Sequence, residues 1–167
     1  MSVAMKRRYW LRKDETKQLA HEAEKFGEDI SKLLERGVEL LELTDGRAIV
    51  LAEGKMLFIR NRDGLFPTLH AVDLLQLRRV VIDMGAVPYV AKGADVMGPG
   101  VVSADVEIKA GNAVAVVDER HGKPLAIGLA LVPGTEMRAP KGKVVKNIHY
   151  VGDEVWQFLQ EKVKYRT

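Results

Sequence analysis

The chain has 167 residues, 47% hydrophobic and 29% charged, which is enough to bury one sizeable core or two small ones. It contains no cysteine, which excludes disulfides, thiolate metal sites and thiol catalysis; the net charge of +3 is too small to identify a partner by itself. No apolar run approaches the roughly 18 residues of a membrane span. The basic start MSVAMKRRYWLRK is not followed by the apolar run of a secretory signal, so the expectation is a cytoplasmic protein with no membrane partner.

Arg8 to Arg12 reads as a short strand. Asp14 is placed to N-cap a helix from Thr16 to Phe26, with Leu19, Ala20, Ala23 and Phe26 at helical spacing and Gly27 as its stop. Asp29 to Arg36 is a second helix, ended by Gly37. VELLELTDGRAIVLAEGKMLFIRNRDG then reads as three strands with turns at Asp45-Gly46 and Glu53-Gly54. Arg60 to Thr68, rich in turn residues, is read as the inter-domain connection, and Thr68 as the N-cap of a helix from Leu69 to Leu77.

From Val80 the chain turns mostly to β. VVIDMG is a strand, and Ala86 to Val90 a short helix or turn. Strands are expected at Asp105 to Lys109, Ala113 to Asp118, Leu125 to Val132 and Lys143 to Asn147, with a hairpin around ERHGK. Gly152 to Lys164 reads as a helix with Val155, Phe158 and Leu159 inward. The expected fold class is therefore α+β. Residues 1–77 form an N-terminal α+β domain with a small antiparallel sheet. Residues 78–167 form a small β-barrel with short helices and the C-terminal helix.

Familiar chemistry is missing. Gly93 and Gly98 have the opening spacing of a phosphate-binding P-loop, but Pro99 and Gly100 stand where its Lys and Ser/Thr belong. The dinucleotide fingerprint fails as well, because no glycine follows three residues after Gly100. His21, His70, His121 and His149 are scattered, with no metal-ligand spacing, and no serine sits in a G-x-S-x-G context. Asp153 and Glu154 precede a helix and are read as serving its N-terminus. The expectation is a protein with no catalytic residue, no metal and no cofactor.

Three pieces in order carry a resemblance: MGAVPYVAKGADVMGPGV, GNAVAVVDERHGKPLAIGLA and KNIHYVGDEVW. Together they resemble a PUA domain, the small RNA-binding β-barrel named after pseudouridine synthase and archaeosine transglycosylase, over roughly Val80 to Phe158. Asn112 replaces the Asp usual in the second piece, which removes a charge but keeps a turn-forming side chain. With FPTLHAVD, Phe66 to Asp73, ahead of this domain, the whole chain is similar to the malignant T-cell-amplified-sequence family and its archaeal relatives. That resemblance implies a translation factor without enzymatic activity. It implies binding to the small ribosomal subunit and, through the PUA domain, to the 3′ CCA end and acceptor stem of tRNA, in initiation, reinitiation or recycling. It also implies a partner like the density-regulated protein, or the same modules fused as in ligatin.

The residues accept this reading. The stretch from Lys92 to Gly100 offers Gly93, Gly98 and Gly100 for close backbone approach of RNA, Lys92 for a phosphate, and Val96, Met97 and Pro99, with Ala94, as a small apolar face for a terminal base. Arg138, Lys141, Lys143 and Lys146 would extend the positive surface. The bland alternative makes the glycines tight turns closing a barrel and Met97 a core residue. On that view, Gly93→Val or Gly100→Val unfolds the protein; on the RNA view, it leaves the melting temperature within a few degrees. Lys6, Arg7, Arg8, Arg12 and Lys13, beside Tyr9 and Trp10, form a candidate ribosomal RNA contact; the alternative is an exposed basic edge strand with Trp10 buried. Two rival functions remain: a tRNA-docking component of an RNA-modification enzyme, and a protein-interaction module.

Overall fold

The computed structural model describes residues 3–164. Contacts divide the chain into two compact units: residues up to Gln76 together with those from Gln157 onward, and Leu77–Trp156.

In the first unit, β1 (Met5–Trp10) leads into α1 (Lys13–Glu22), a 3₁₀ turn at Ala23–Phe26 and α2 (Glu28–Glu35). The first helix begins earlier than expected, because Arg12 and not Asp14 is its N-cap. Glu15 Oε1 accepts the Arg12 N–H at 3.0 Å, which satisfies the entering backbone. Asp14 falls inside the first turn, where its charge suits the helix N-terminus. β2 (Glu39–Leu43), β3 (Ala48–Ala52), β4 (Lys55–Asn61) and β5 (Gly64–Pro67) then follow as hairpins. The sheet runs β1-β2-β3-β4-β5, antiparallel throughout.

β5 corrects the reading of Arg60 to Thr68 as a connection. Asn61 Oδ1 accepts the Asp63 N–H at 2.7 Å, so the turn residues close a hairpin. Leu65 and Phe66 are then buried in the unit's core. Thr68 does not cap an α-helix either. Its hydroxyl donates to the Met56 carbonyl at 2.7 Å, and only a 3₁₀ helix, Leu69–Leu74, follows.

In the second unit β6 (Arg79–Ile82), α3 (Val87–Val90), β7 (Val96–Met97), a 3₁₀ turn at Gly98–Gly100 and β8 (Val101–Ala104) come first. β9 (Ala113–Asp118), β10 (Pro124–Ala130) and β11 (Lys143–Tyr150) complete a sheet of order β7-β11-β10-β9-β6-β8. Its neighbours are antiparallel except β6 and β9, which run parallel. The sheet curls into a nearly closed barrel around Val80, Ile82, Val116, Ala126, Met137 and Val145, so the fold is mixed α+β as expected.

The hairpin around ERHGK is present, and Asp118 holds its loop: the carboxylate accepts the N–H of His121 and, at 2.9 Å, that of Arg120. The expected strand at Asp105 to Lys109 is a turn instead. Asp105 Oδ1 accepts the Glu107 N–H at 2.8 Å, an Asx-type bond that outcompetes a ladder and still buries Ile108. α4 (Glu154–Lys164) closes the chain, with Asp153 Oδ1 accepting the Trp156 N–H at 2.7 Å as its N-cap. The sequence reading gave this whole helix to the second domain. From Gln157 on it groups with the first unit, where Gln160 Oε1 lies 2.6 Å from His70 Nε2.

Candidate nucleic-acid interface

The glycine-rich stretch does form one wall of a cleft, of about 660 Å³, within the second unit. Its structure follows from local bonding. The end of β6 is tied to the loop where the Asp83 N–H donates to the Gly100 carbonyl at 2.9 Å. Asp83 Oδ1 accepts the Ala86 N–H at 2.8 Å and so turns the chain into α3. Asn147, in the middle of β11, donates its side-chain amide to the carbonyls of Val90 and Ala94, both at 3.1 Å. Its own N–H donates to Asp95 Oδ1 at 2.8 Å. One asparagine thus fastens both ends of the segment between α3 and β7.

The glycines serve the protein's own packing. Gly93 has φ +101°, a conformation that favours glycine, and a Cβ there would lie 2.9 Å from the Tyr150 ring. A Cβ on Gly98 would lie 2.1 Å from the Ala139 carbonyl oxygen, and the Gly98 N–H donates to Gly142 O at 2.9 Å. A Cβ on Gly100 would lie 2.9 Å from the Ala86 side chain. The alternative reading of the glycines as barrel-closing turns is therefore right about their geometry, and the expectation that Gly93→Val or Gly100→Val spares stability is corrected.

Other residues supply the accessible face. Met97 is 46% exposed, and Pro99 is exposed beside it, so Met97 is no core residue. Val96 is corrected the other way. At 2% exposure it packs into the barrel core beneath the cleft it lines, so it is no free apolar face. The sequence reading missed Tyr89, 69% exposed on the cleft wall. An aromatic in a four-residue helix next to the glycine stretch was its only signal.

Charge is placed more sparingly than the basic run implies. Of Arg138, Lys141, Lys143 and Lys146, only Lys143 lines the cleft, and its Nζ lies 3.1 Å from Asp95 Oδ2. The other three are exposed outside the lining, as is Lys92. Ala94 lines the cleft with its carbonyl already used by Asn147. The Asp83 carboxylate also lines it, and with Asp95 it makes the wall partly acidic.

The N-terminal cluster looks different from expectation. Arg7 lies 2.8 Å from Glu42 and stacks over Tyr9, Arg8 pairs with Glu39, and Arg12 lies 3.2 Å from Glu15. Hydrogen bonds from Arg7, then Tyr9, hold the Glu42 carboxyl below the usual range. Acids on β2 and α1 therefore neutralise three of the five expected phosphate contacts; Lys6 and Lys13 stand outside those pairs. Trp10, expected buried on the edge-strand reading, is 66% exposed. Among the described residues, no group of three or more His, Asp or Glu could hold a metal ion, and no helix is long and apolar enough to cross a membrane.

This barrel, with its glycine stretch against α3 and β11, is a PUA domain: the model of that domain family matches residues 78–151. Along the whole chain, an uncharacterized protein of Methanocaldococcus jannaschii is 40% identical over 160 residues, covering 93% of this chain and 99% of its own. Translation machinery-associated protein 20 of Saccharomyces cerevisiae is 30% identical over 133 residues, 74% of either chain. The crystal structure of a hypothetical protein from Pyrococcus horikoshii superimposes with a TM-score of 0.78 at 40% identity, over 91% of this chain and 99% of the other. The chain belongs to the family of translation machinery-associated protein 20 and the malignant T-cell-amplified sequences.

Proposed function

We propose that this chain is an RNA-binding component of the translation machinery that seats the 3′ end of a tRNA in the cleft of its PUA domain. The observation carrying this reading is the juxtaposition of Tyr89, Met97 and Pro99 as an exposed apolar wall with Lys143 in the same cleft. An unpaired base gains stacking and apolar contact on such a wall, and a cation beside it meets the phosphate. The neighbouring Lys92, Arg138, Lys141 and Lys146 supply salt-dependent attraction for the acceptor stem. Kinship with translation machinery-associated protein 20 supports placing this in translation. On the same reading the protein works in the cytoplasm on the small ribosomal subunit, alone or with a partner like the density-regulated protein. It acts by binding, without catalysis.

The test is binding of the full chain to one tRNA, intact and lacking its CCA end, at two salt concentrations. A loss of tenfold or more on trimming, at both salts, is expected. Equal binding that fades with salt would reduce the protein to a phosphate binder and remove the end-reading role.

A further inference from the structure

We infer that Asp83 sets the base specificity of the PUA cleft, accepting the exocyclic amine of the terminal adenine on its free carboxylate oxygen. This rests on the end-binding role proposed above and names the chemistry of its selectivity. Three charged side chains line the cleft: Asp83, Asp95 and Lys143. Asp95 Oδ1 accepts the Asn147 N–H at 2.8 Å, and its Oδ2 lies 3.1 Å from Lys143 Nζ, so these two charges answer each other. The charge left over in the lining is the Asp83 carboxylate, which makes no ion pair among the described residues.

Asp83 follows β6 and is half-buried. Its N–H donates to the Gly100 carbonyl at 2.9 Å, which fixes its backbone against the glycine stretch. Oδ1 accepts the Ala86 N–H at 2.8 Å, which pins the side chain, while Oδ2 has no hydrogen bond among the described residues. A Cβ on Gly85 would lie 3.3 Å from Oδ1, so the glycine keeps the carboxylate uncrowded.

An ionised carboxylate accepts hydrogen bonds and donates none. Left unpaired in a cleft, it repels a phosphate and calls for a donor. The phosphate therefore belongs with Lys143, and the donor with Asp83. Adenine stacked on the wall of Tyr89, Met97 and Pro99 carries such a donor, its N6 amine, on its edge. One free oxygen suits one amine. The paired N1–H and N2–H donors of guanine call for both carboxylate oxygens, one of which Ala86 already holds. Uracil flanks its one N–H with two carbonyls that the charge repels. Cytosine has an equivalent amine, but its single ring covers less of the wall.

The experiment measures binding of the full chain to one tRNA, with its terminal adenosine either kept or replaced by purine riboside, which lacks only the amine. The wild-type chain should bind the purine riboside end about tenfold more weakly. Asp83→Asn keeps an oxygen for the Ala86 N–H and sets an amide NH2 where Oδ2 stood. It should lose about tenfold for the adenosine end and bind the two ends within about twofold of each other, with the melting temperature shifted by no more than about 2 °C. Equal wild-type affinity for the two ends, or an undiminished preference in Asp83→Asn, overturns the proposal; should that variant fold poorly, the wild-type comparison alone can still overturn it. The tRNA lacking its CCA end separates the two assignments. If trimming costs nothing, the end-binding role falls and this one with it. If trimming costs tenfold while purine riboside costs nothing, only the assignment to Asp83 falls.

Discussion

His149 Nδ1 lies 2.9 Å from Asp153 Oδ2, and both side chains are buried, the imidazole completely. The same carboxylate accepts the N–H groups of Tyr150 at 2.9 Å and Trp156 at 2.7 Å, so one aspartate closes the end of β11, caps α4 and partners a buried histidine. Burial alone would raise its pKa. The hydrogen bond and charge of His149, then the two N–H groups, outweigh that and hold it below the ordinary value. A carboxyl depressed in the folded state stabilises fully above its unfolded pKa of about 4 and loses that contribution as pH falls through the folded value. Asp153→Ala should cost about 2–4 kcal/mol at pH 7, from the lost cap and the unpaired histidine. Urea midpoints of the two proteins should draw together as pH falls below about 4; a constant gap would remove the carboxylate from the pH dependence.

Stability and binding should separate between the glycines and the cleft wall. Gly98→Ala drives a methyl toward a backbone oxygen, and Gly93→Val adds a branched side chain at positive φ against Tyr150. Each should lower the melting temperature by about 10 °C or more. Tyr89→Ala removes an exposed ring and should shift it by no more than about 2 °C, while weakening tRNA binding about tenfold. A thermal melt beside a binding curve for each variant decides the matter.

Asp95 restrains Lys143. Asp95→Asn keeps a side-chain oxygen for the Asn147 N–H but frees the ammonium group, so tRNA affinity should rise a few-fold. The slope of log K against log salt should steepen by roughly one contact. An unchanged slope would place Lys143 outside the interface.

Asn147→Leu removes the side-chain donor to the carbonyls of Ala94 and of Val90, the latter keeping only the Gly93 N–H at 3.0 Å. It should cost about 2 kcal/mol. Amide exchange should quicken across Ala91 to Val96 more than in β9 or β10.

The barrel was legible in the sequence because its hairpin and glycine signals are local. β5 was not, since Asn61, Asp63 and Gly64 mark any turn equally, and only the burial of Leu65 and Phe66 says that a strand follows. In the site, Gly93, Gly98 and Met97 were found by composition, but their roles were inverted in part. Backbone spacing cannot say that Gly98 faces Ala139 while Met97 faces water. Lysines were counted without the acids that hold them: Asp95 answers Lys143 across two strands. Asn147 carried no signal of its own, because its two acceptors lie more than fifty residues away.

The parallel pairing of β6 with β9 bears on how the second unit assembles. β9, β10 and β11 follow one another antiparallel and can form by short-range closure. β6 meets β9 only after the whole segment holding α3, β7 and β8 has been looped out, with Val80 set beside Val116. Loop closure must precede the contacts that reward it, so this docking belongs late in folding. The glycine stretch lies within that loop, and its shape is completed with the final closure of the barrel. A nascent chain can therefore present the β9–β11 meander before it presents a cleft.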